Sequence, residues 1–146
     1  MIVMTKRLML MIPAVLASTL ASAELVIESG HVRALLPGAA STAAYMTLNN
    51  TGDVDVIIKA VKSPAAAQVT IHGTMNHSGM FHMMAMDSLK VAAKKQVILE
   101  PNGTHLMLEK PLVPIAVGGK IELIFQMSDG STQAISLPVK SVLSEK

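Results

Sequence analysis

An all-β fold, an antiparallel β-sandwich, is predicted from residue 24 onward by three features of the sequence. Apolar residues recur there with period two, and turn residues interrupt them about every 8 to 12 positions. With one Tyr, two Phe and no Trp, the core has to be filled by Val, Ile, Leu, Ala and Met, a set rich in β-branched side chains. A chain of 146 residues suffices for one ordinary domain and not for two well-cored ones. Residues 24–146 are therefore expected to form a single domain.

Residues 1–23 are of another kind. Lys6 and Arg7 make a basic start, residues 8–20 form an apolar run, and Ala21-Ser22-Ala23 supplies a small-x-small cleavage site. That is the pattern of a cleavable signal peptide, cut before Glu24, and it predicts export to the periplasm. The run is shorter than the roughly 20 residues a helix needs to cross a bilayer, and no later stretch comes closer, so no membrane insertion of the mature chain is expected.

The candidate strands follow in order at 25–28, 31–34, 43–49, 56–61, 68–72, 80–86, 96–99, 105–108, 120–127 and 134–139. Asn49-Asn50-Thr51-Gly52, Ser63-Pro64, Pro101-Asn102-Gly103, Gly118-Gly119 and Ser128-Asp129-Gly130 separate them as turns. Pro111 and Pro114 mark a loop or an edge crossing, because proline cannot donate to a sheet ladder. Two weak helix candidates, at 65–67 and 88–94, lack a clear cap and a 3.6-residue stripe.

Composition excludes several function classes. Once Lys6 and Arg7 leave with the signal, 10 basic residues face 10 acidic ones, so nothing attracts nucleic acid. The scarcity of aromatic rings removes a stacking platform for bases or sugars. There is no cysteine, hence no disulfide, no thiol redox chemistry and no lipid-attachment cysteine in these residues. The acids Asp53, Asp55, Asp87, Glu100, Glu109, Glu122 and Asp129 sit mostly in turns or beside lysines and read as solvated surface. No catalytic triad or phosphate-binding loop is apparent, and no enzyme is expected.

One stretch needs a cause. Residues 75–86 hold five of the eight methionines that follow the signal, together with His77 and His82. Thioether sulfur is a soft neutral ligand and imidazole an intermediate one, so a site made of both favours copper, above all Cu(I), over zinc. Where thiols oxidise, a Met/His carrier for Cu(I) also avoids a competing reaction. The pair His105 and Met107 begins a candidate strand; residues two apart project to one face, while Leu106 points to the core. A strand ending at His72 and another containing Met83 supply the remaining ligands.

These residues resemble the PCu(A)C periplasmic copper chaperones, whose ligand pattern is His, ten residues, Met, twenty-one residues, His, one residue, Met. His72, Met83, His105 and Met107 match every gap. Val32-Arg33-Ala34-Leu35-Leu36-Pro37-Gly38 and Ala43-Ala44-Tyr45-Met46-Thr47-Leu48 are similar to the family's opening strands. The resemblance implies a cupredoxin-like Greek-key sandwich, Cu(I) held by those four residues at one rim, and delivery by ligand exchange. It further implies a recipient protein, either a subunit of a respiratory haem-copper (cytochrome c) oxidase under assembly or one of its assembly factors. Gly73 departs from the family, which commonly carries an acid after the first histidine.

Alternatives stay open. His82, Met84 and Met86 lie on the opposite parity to Met83, so a one-residue register change would exchange the ligand. Met75, His77, Met80 and His82 are candidate accessory ligands, a mobile second collar for a further ion or for Cu(II). On that basis the rival function is a copper-sequestering protein holding several ions; a third reading is a Met-rich peptide-binding scaffold. A cupredoxin-type electron carrier would need a cysteine thiolate. Met46, Met127 and one of Met84 or Met86 are expected to be core, His31 to be a surface residue, and His77 to lie in a loop.

Overall fold

A computed structural model describes residues 24–144; the expected signal peptide lies outside the described residues. The strands are β1 (Leu25–Arg33), β2 (Ser41–Asn50), β3 (Val56–Lys62), β4 (Ala66–His77), β5 (Met80–Met86), β6 (Leu89–Val91), β7 (Gln96–Leu99), β8 (His105–Pro111), β9 (Lys120–Met127) and β10 (Thr132–Lys140). Among the described residues there is no α-helix, only a 3-10 turn at Val142–Ser144. The all-β expectation holds.

The strands form one sheet, in the order β5-β4-β8-β2-β1-β10-β9-β3-β6 with β7 paired to β2 beside this path, and a β3–β4 pairing at Val61 and Val69 closes its central part into a barrel. Hydrogen bonding thus runs continuously around the molecule, whereas a sandwich of two separate sheets was expected. One ladder also departs from the antiparallel scheme. β1 and β10 run parallel, with Val32 opposite Val139.

Alternation decides what fills the barrel. On β9 the side chains of Ile121, Leu123 and Phe125 point inward between exposed Lys120 and Glu122, and Ala44, Met46 and Leu48 do the same from β2. Phe125 is the largest of the fully buried side chains, in an interior cluster otherwise made of aliphatics and Met46. Each such burial contributes about 1.5–3 kcal/mol. Met127 packs against this core as expected, but Met84 and Met86 do not: both are exposed on β5.

The two expected strands at 25–28 and 31–34 are one strand with a bulge. The register on β2 shifts between Glu28 and His31, and Ser29 takes φ 50°. The extra residue restores parity, so Leu25 and Val32 both face inward. Gly30 sits in the bulge where a Cβ would come within 2.6 Å of Leu137 Cδ2.

Neither helix candidate forms. Residues 65–67 lead from a turn into β4, and 88–94 hold β6 and a turn with Lys94 at φ 59°. Leu89 and Val91 are pulled into the sheet by pairing with Ile58 and Val56 of β3. The turn after β2 is organised by Asn50, which is fully buried. Its Nδ2 donates to the carbonyls of Val54 (2.7 Å) and Val91 (3.0 Å), and its Oδ1 accepts from Gly52 N (3.0 Å).

Candidate metal centre

The four residues with the His/Met spacing come from three neighbouring strands. On the β4–β8 ladder His72 is directly opposite His105, and Thr70 is opposite Met107. On the β4–β5 ladder Thr74 is opposite Met83 and His72 is opposite Ala85. Met83 and Met107 are therefore diagonal neighbours of His72 on one face, within reach of long side chains. This is the outer wall of the barrel; the alternate residues Ile71 and Leu106 are buried in its interior. The register also settles which of His82, Met83 and Met84 shares that face: it is Met83.

The rings of His72 and His105 stand 5.7 Å apart between centroids at 51°. With metal–nitrogen bonds of about 2 Å, one ion has room to touch a nitrogen of each. Their hydrogen bonds select which nitrogens are available. His105 Nδ1 lies 2.9 Å from the carbonyl oxygen of Gly103, which only accepts, so Nδ1 carries the proton and Nε2 keeps its lone pair.

At His72 the assignment is the reverse. Thr70 Oγ1 donates to Glu109 Oε2 at 3.1 Å and lies 2.9 Å from His72 Nε2. With its one proton committed to the carboxylate, the hydroxyl accepts from His72 Nε2–H. His72 Nδ1 is left with a lone pair, buried and without a hydrogen-bond partner. A buried imidazole nitrogen without a partner is costly unless something else binds it. Glu109, read from the sequence as a solvated acid, and Thr70, which carried no signal at all, are thus supports of the site.

The turn before β8 is tied to the hairpin. Gly103 N donates to Glu100 O at 3.1 Å, Asn102 takes φ 65°, and Thr74 Oγ1 donates to the carbonyls of Asn102 and Gly103 at 3.3 and 3.4 Å. The carbonyl that orients His105 is thereby fixed to β4. From the other side the rings of His31, Tyr45, His105 and His72 form a row across β1, β2, β8 and β4, with centroid steps of 5.5, 6.3 and 5.7 Å. Arg33 lies 5.1 Å above the Tyr45 ring. His31 is half-buried at the end of this row, not a solvated residue as expected.

Access to the four is unequal. His105 is 7% exposed and Met83 54%. Met83, His105 and Met107 line a groove of about 770 Å³, with Leu36, Tyr45 and Phe81 among its walls. Among the described residues no three His, Cys, Asp or Glu side chains gather as a metal-binding group; the soft donors that share this face with the two imidazoles are the thioethers of Met83 and Met107.

The accessory candidates Met75, His77, Met80 and His82 fall elsewhere. His82 is opposite Met75 and Met80 opposite His77, on the other face of the β4–β5 ribbon. The segment read as a mobile second collar forms a regular hairpin of β4 and β5. Ser78 (φ 54°) and Gly79 (φ 80°) close it as a two-residue turn with both central residues left-handed. His77 accordingly ends a strand rather than lying in a loop.

The family model "Putative lipoprotein LpqE-like" matches residues 25–139. A "Putative lipoprotein" of Leifsonia xyli subsp. xyli is 34% identical over 104 residues, which is 70% of this chain and 63% of that protein. The chain thus spans less than two thirds of that relative's length. The solution structure of Cu(I)-DR1885 from Deinococcus radiodurans is 29% identical, with TM-score 0.69, over 89% of this chain and 87% of that one. The copper-bound PCuAC domain from PmoF2 has TM-score 0.66 at 23% identity, over 79% of this chain and 91% of that one, and shares the fold. The match over residues 25–139 shows that the chain belongs to the LpqE-like family, and its fold is that of the PCuAC domains.

Proposed function

We propose that the protein is a periplasmic Cu(I) chaperone that holds one ion through His72, Met83, His105 and Met107. The carrying observation is the outer face of β5-β4-β8. There two histidines are held as opposite tautomers, one with an unpartnered buried nitrogen, beside two thioethers. Four neutral ligands suit a soft monovalent ion. The Cu(I) form of DR1885 and the copper-bound PmoF2 domain support the same reading.

On this reading the barrel is the closed form of the cupredoxin-like Greek-key sandwich. Delivery proceeds by ligand exchange: a recipient's soft ligand enters as the exposed Met83 thioether leaves, and buried His105 holds the ion last. The recipient is the copper site of a haem-copper oxidase under assembly, or an assembly factor that serves it. Export through cleavage before Glu24 belongs to the same proposal, and no catalytic step is part of it. Cu(II), which favours nitrogen and oxygen donors, would be confined to the hairpin imidazoles His77 and His82.

X-ray absorption on the protein carrying one Cu(I) tests the ligand set. Mixed sulfur and nitrogen scattering is expected with Met75, His77, Met80 and His82 replaced, and it should collapse when His105→Ala/Met107→Leu is added to that background. Unchanged scattering after that addition would refute the assignment. The rival reading, a copper-sequestering protein, requires several ions to be retained with no transfer to an acceptor.

A further inference from the structure

The β4–β5 ribbon carries soft donors on both sides, and the reverse side is the richer. Its positions in β4 are Gly73, Met75 and His77; its positions in β5 are Met80, His82, Met84 and Met86. Apart from Ile71, which is buried opposite Met86 where the ribbon joins the barrel, every side chain on this face is an exposed thioether or imidazole. The obverse face is mixed, with His72, Thr74 and Asn76 beside Phe81, Met83 and Ala85. An apolar docking patch would have no need of this restriction, whereas a soft-metal site requires it.

The placement fits a ligand set. Met75 is directly opposite His82, and His77 directly opposite Met80, in consecutive pairs on the same face. Direct cross-strand partners have Cβ atoms about 4.5–5.5 Å apart, and pairs two residues on remain within reach of long side chains. All six donors are exposed, Met75 at 56% and Met80 at 63%, so they are free to turn toward an incoming ion. Met86 Sδ lies over Gly73, 2.8 Å from where a Cβ would stand, so the missing side chain makes room for that sulfur.

We infer that this reverse face is a second Cu(I) site, separate from the first and back to back with it across a single β-ribbon. Met75, His77, Met80 and His82 form its core, and Met84 is diagonal to Met75 as a spare thioether. The site does not depend on His105 or Met107, which lie on β8 and the opposite face.

Anaerobic Cu(I) titration against a chromogenic chelator, with metal analysis, tests this on the purified protein. Two ions per chain are expected. A Met75→Leu/His77→Gln/Met80→Leu/His82→Gln variant, altered only at exposed positions, should bind one. A His105→Ala/Met107→Leu variant should also bind one, and the combined variant none. With methionine methyl groups labelled with carbon-13, the reverse-face variant should show Met83 and Met107 shifting, and the β8 variant Met75 and Met80. A stoichiometry of one in the unaltered protein overturns the inference, as does a second ion that survives the reverse-face changes. Loss of only the first site's signals would count against the chaperone ligand set and leave this one standing.

Discussion

His72 and His105 face each other across the β4–β8 ladder with centroids 5.7 Å apart, yet they are held as opposite tautomers. The Gly103 carbonyl accepts a hydrogen bond from His105 Nδ1–H, and Thr70 Oγ1, which donates to Glu109, accepts one from His72 Nε2–H. The pair presents one lone pair from each kind of ring nitrogen. Outer hydrogen bonds of this sort hold a ligand ring in orientation before metal arrives.

Thr70→Val tests that support. The variant keeps the shape and the β-branch and removes the hydroxyl between Glu109 and His72. Cu(I) affinity should fall by about 10- to 100-fold, with the far-ultraviolet spectrum unchanged, as read by chelator competition. A shift below threefold would mean that the relay does not orient His72.

Met83→Leu separates binding from folding. Because Met83 is exposed on β5, unfolding free energy should stay within about 0.5 kcal/mol of the original. Cu(I) dissociation should accelerate by roughly the tenfold that about 1.4 kcal/mol represents, followed by stopped-flow transfer to a chelator. Equal dissociation rates would remove Met83 from the ligand set.

Asn50→Leu should cost about 1–3 kcal/mol in chemical denaturation, because the buried Val91 carbonyl, the part-buried Val54 carbonyl and the Gly52 amide lose their partner. A smaller loss would show that the turn closes without its side-chain bonds.

Acid stability should depend on Asp55. Its carboxyl is held below its ordinary value of 3.8, first by the Ala93 N–H and then by Lys90. A lowered folded pKa gives stability that is present above 3.8 and is lost as pH falls through the folded value. Urea melts of Asp55→Asn should therefore show lower stability at neutral pH and a flatter decline below about pH 3.8. Parallel pH profiles for the two proteins would contradict this.

Much of the fold was legible because strands advertise themselves locally. Period-two runs marked Lys120–Met127 and Met80–Met86 with the bounds later found. The bulge at Ser29 makes one strand read as two in the sequence, since an extra residue breaks the alternation that signals a strand. β6 was missed because three residues carry too little pattern; pairing with β3 forms it. Neither Met84 nor Met86 is core, although one of them was expected there, because hydrophobicity alone does not show where a ribbon leaves the barrel.

By itself the sequence determined the donor chemistry, the absence of thiolate, the gaps linking His72, Met83, His105 and Met107, and the strands that carry them. Only the tertiary structure decided that His72 meets His105, that Glu109 acts through Thr70, and that the remaining Met/His residues turn to the other side of the ribbon. Side-chain type and spacing are local properties, written in residue order. Register and barrel closure are set by pairings between residues far apart in the chain, where a slip of one position would exchange every face.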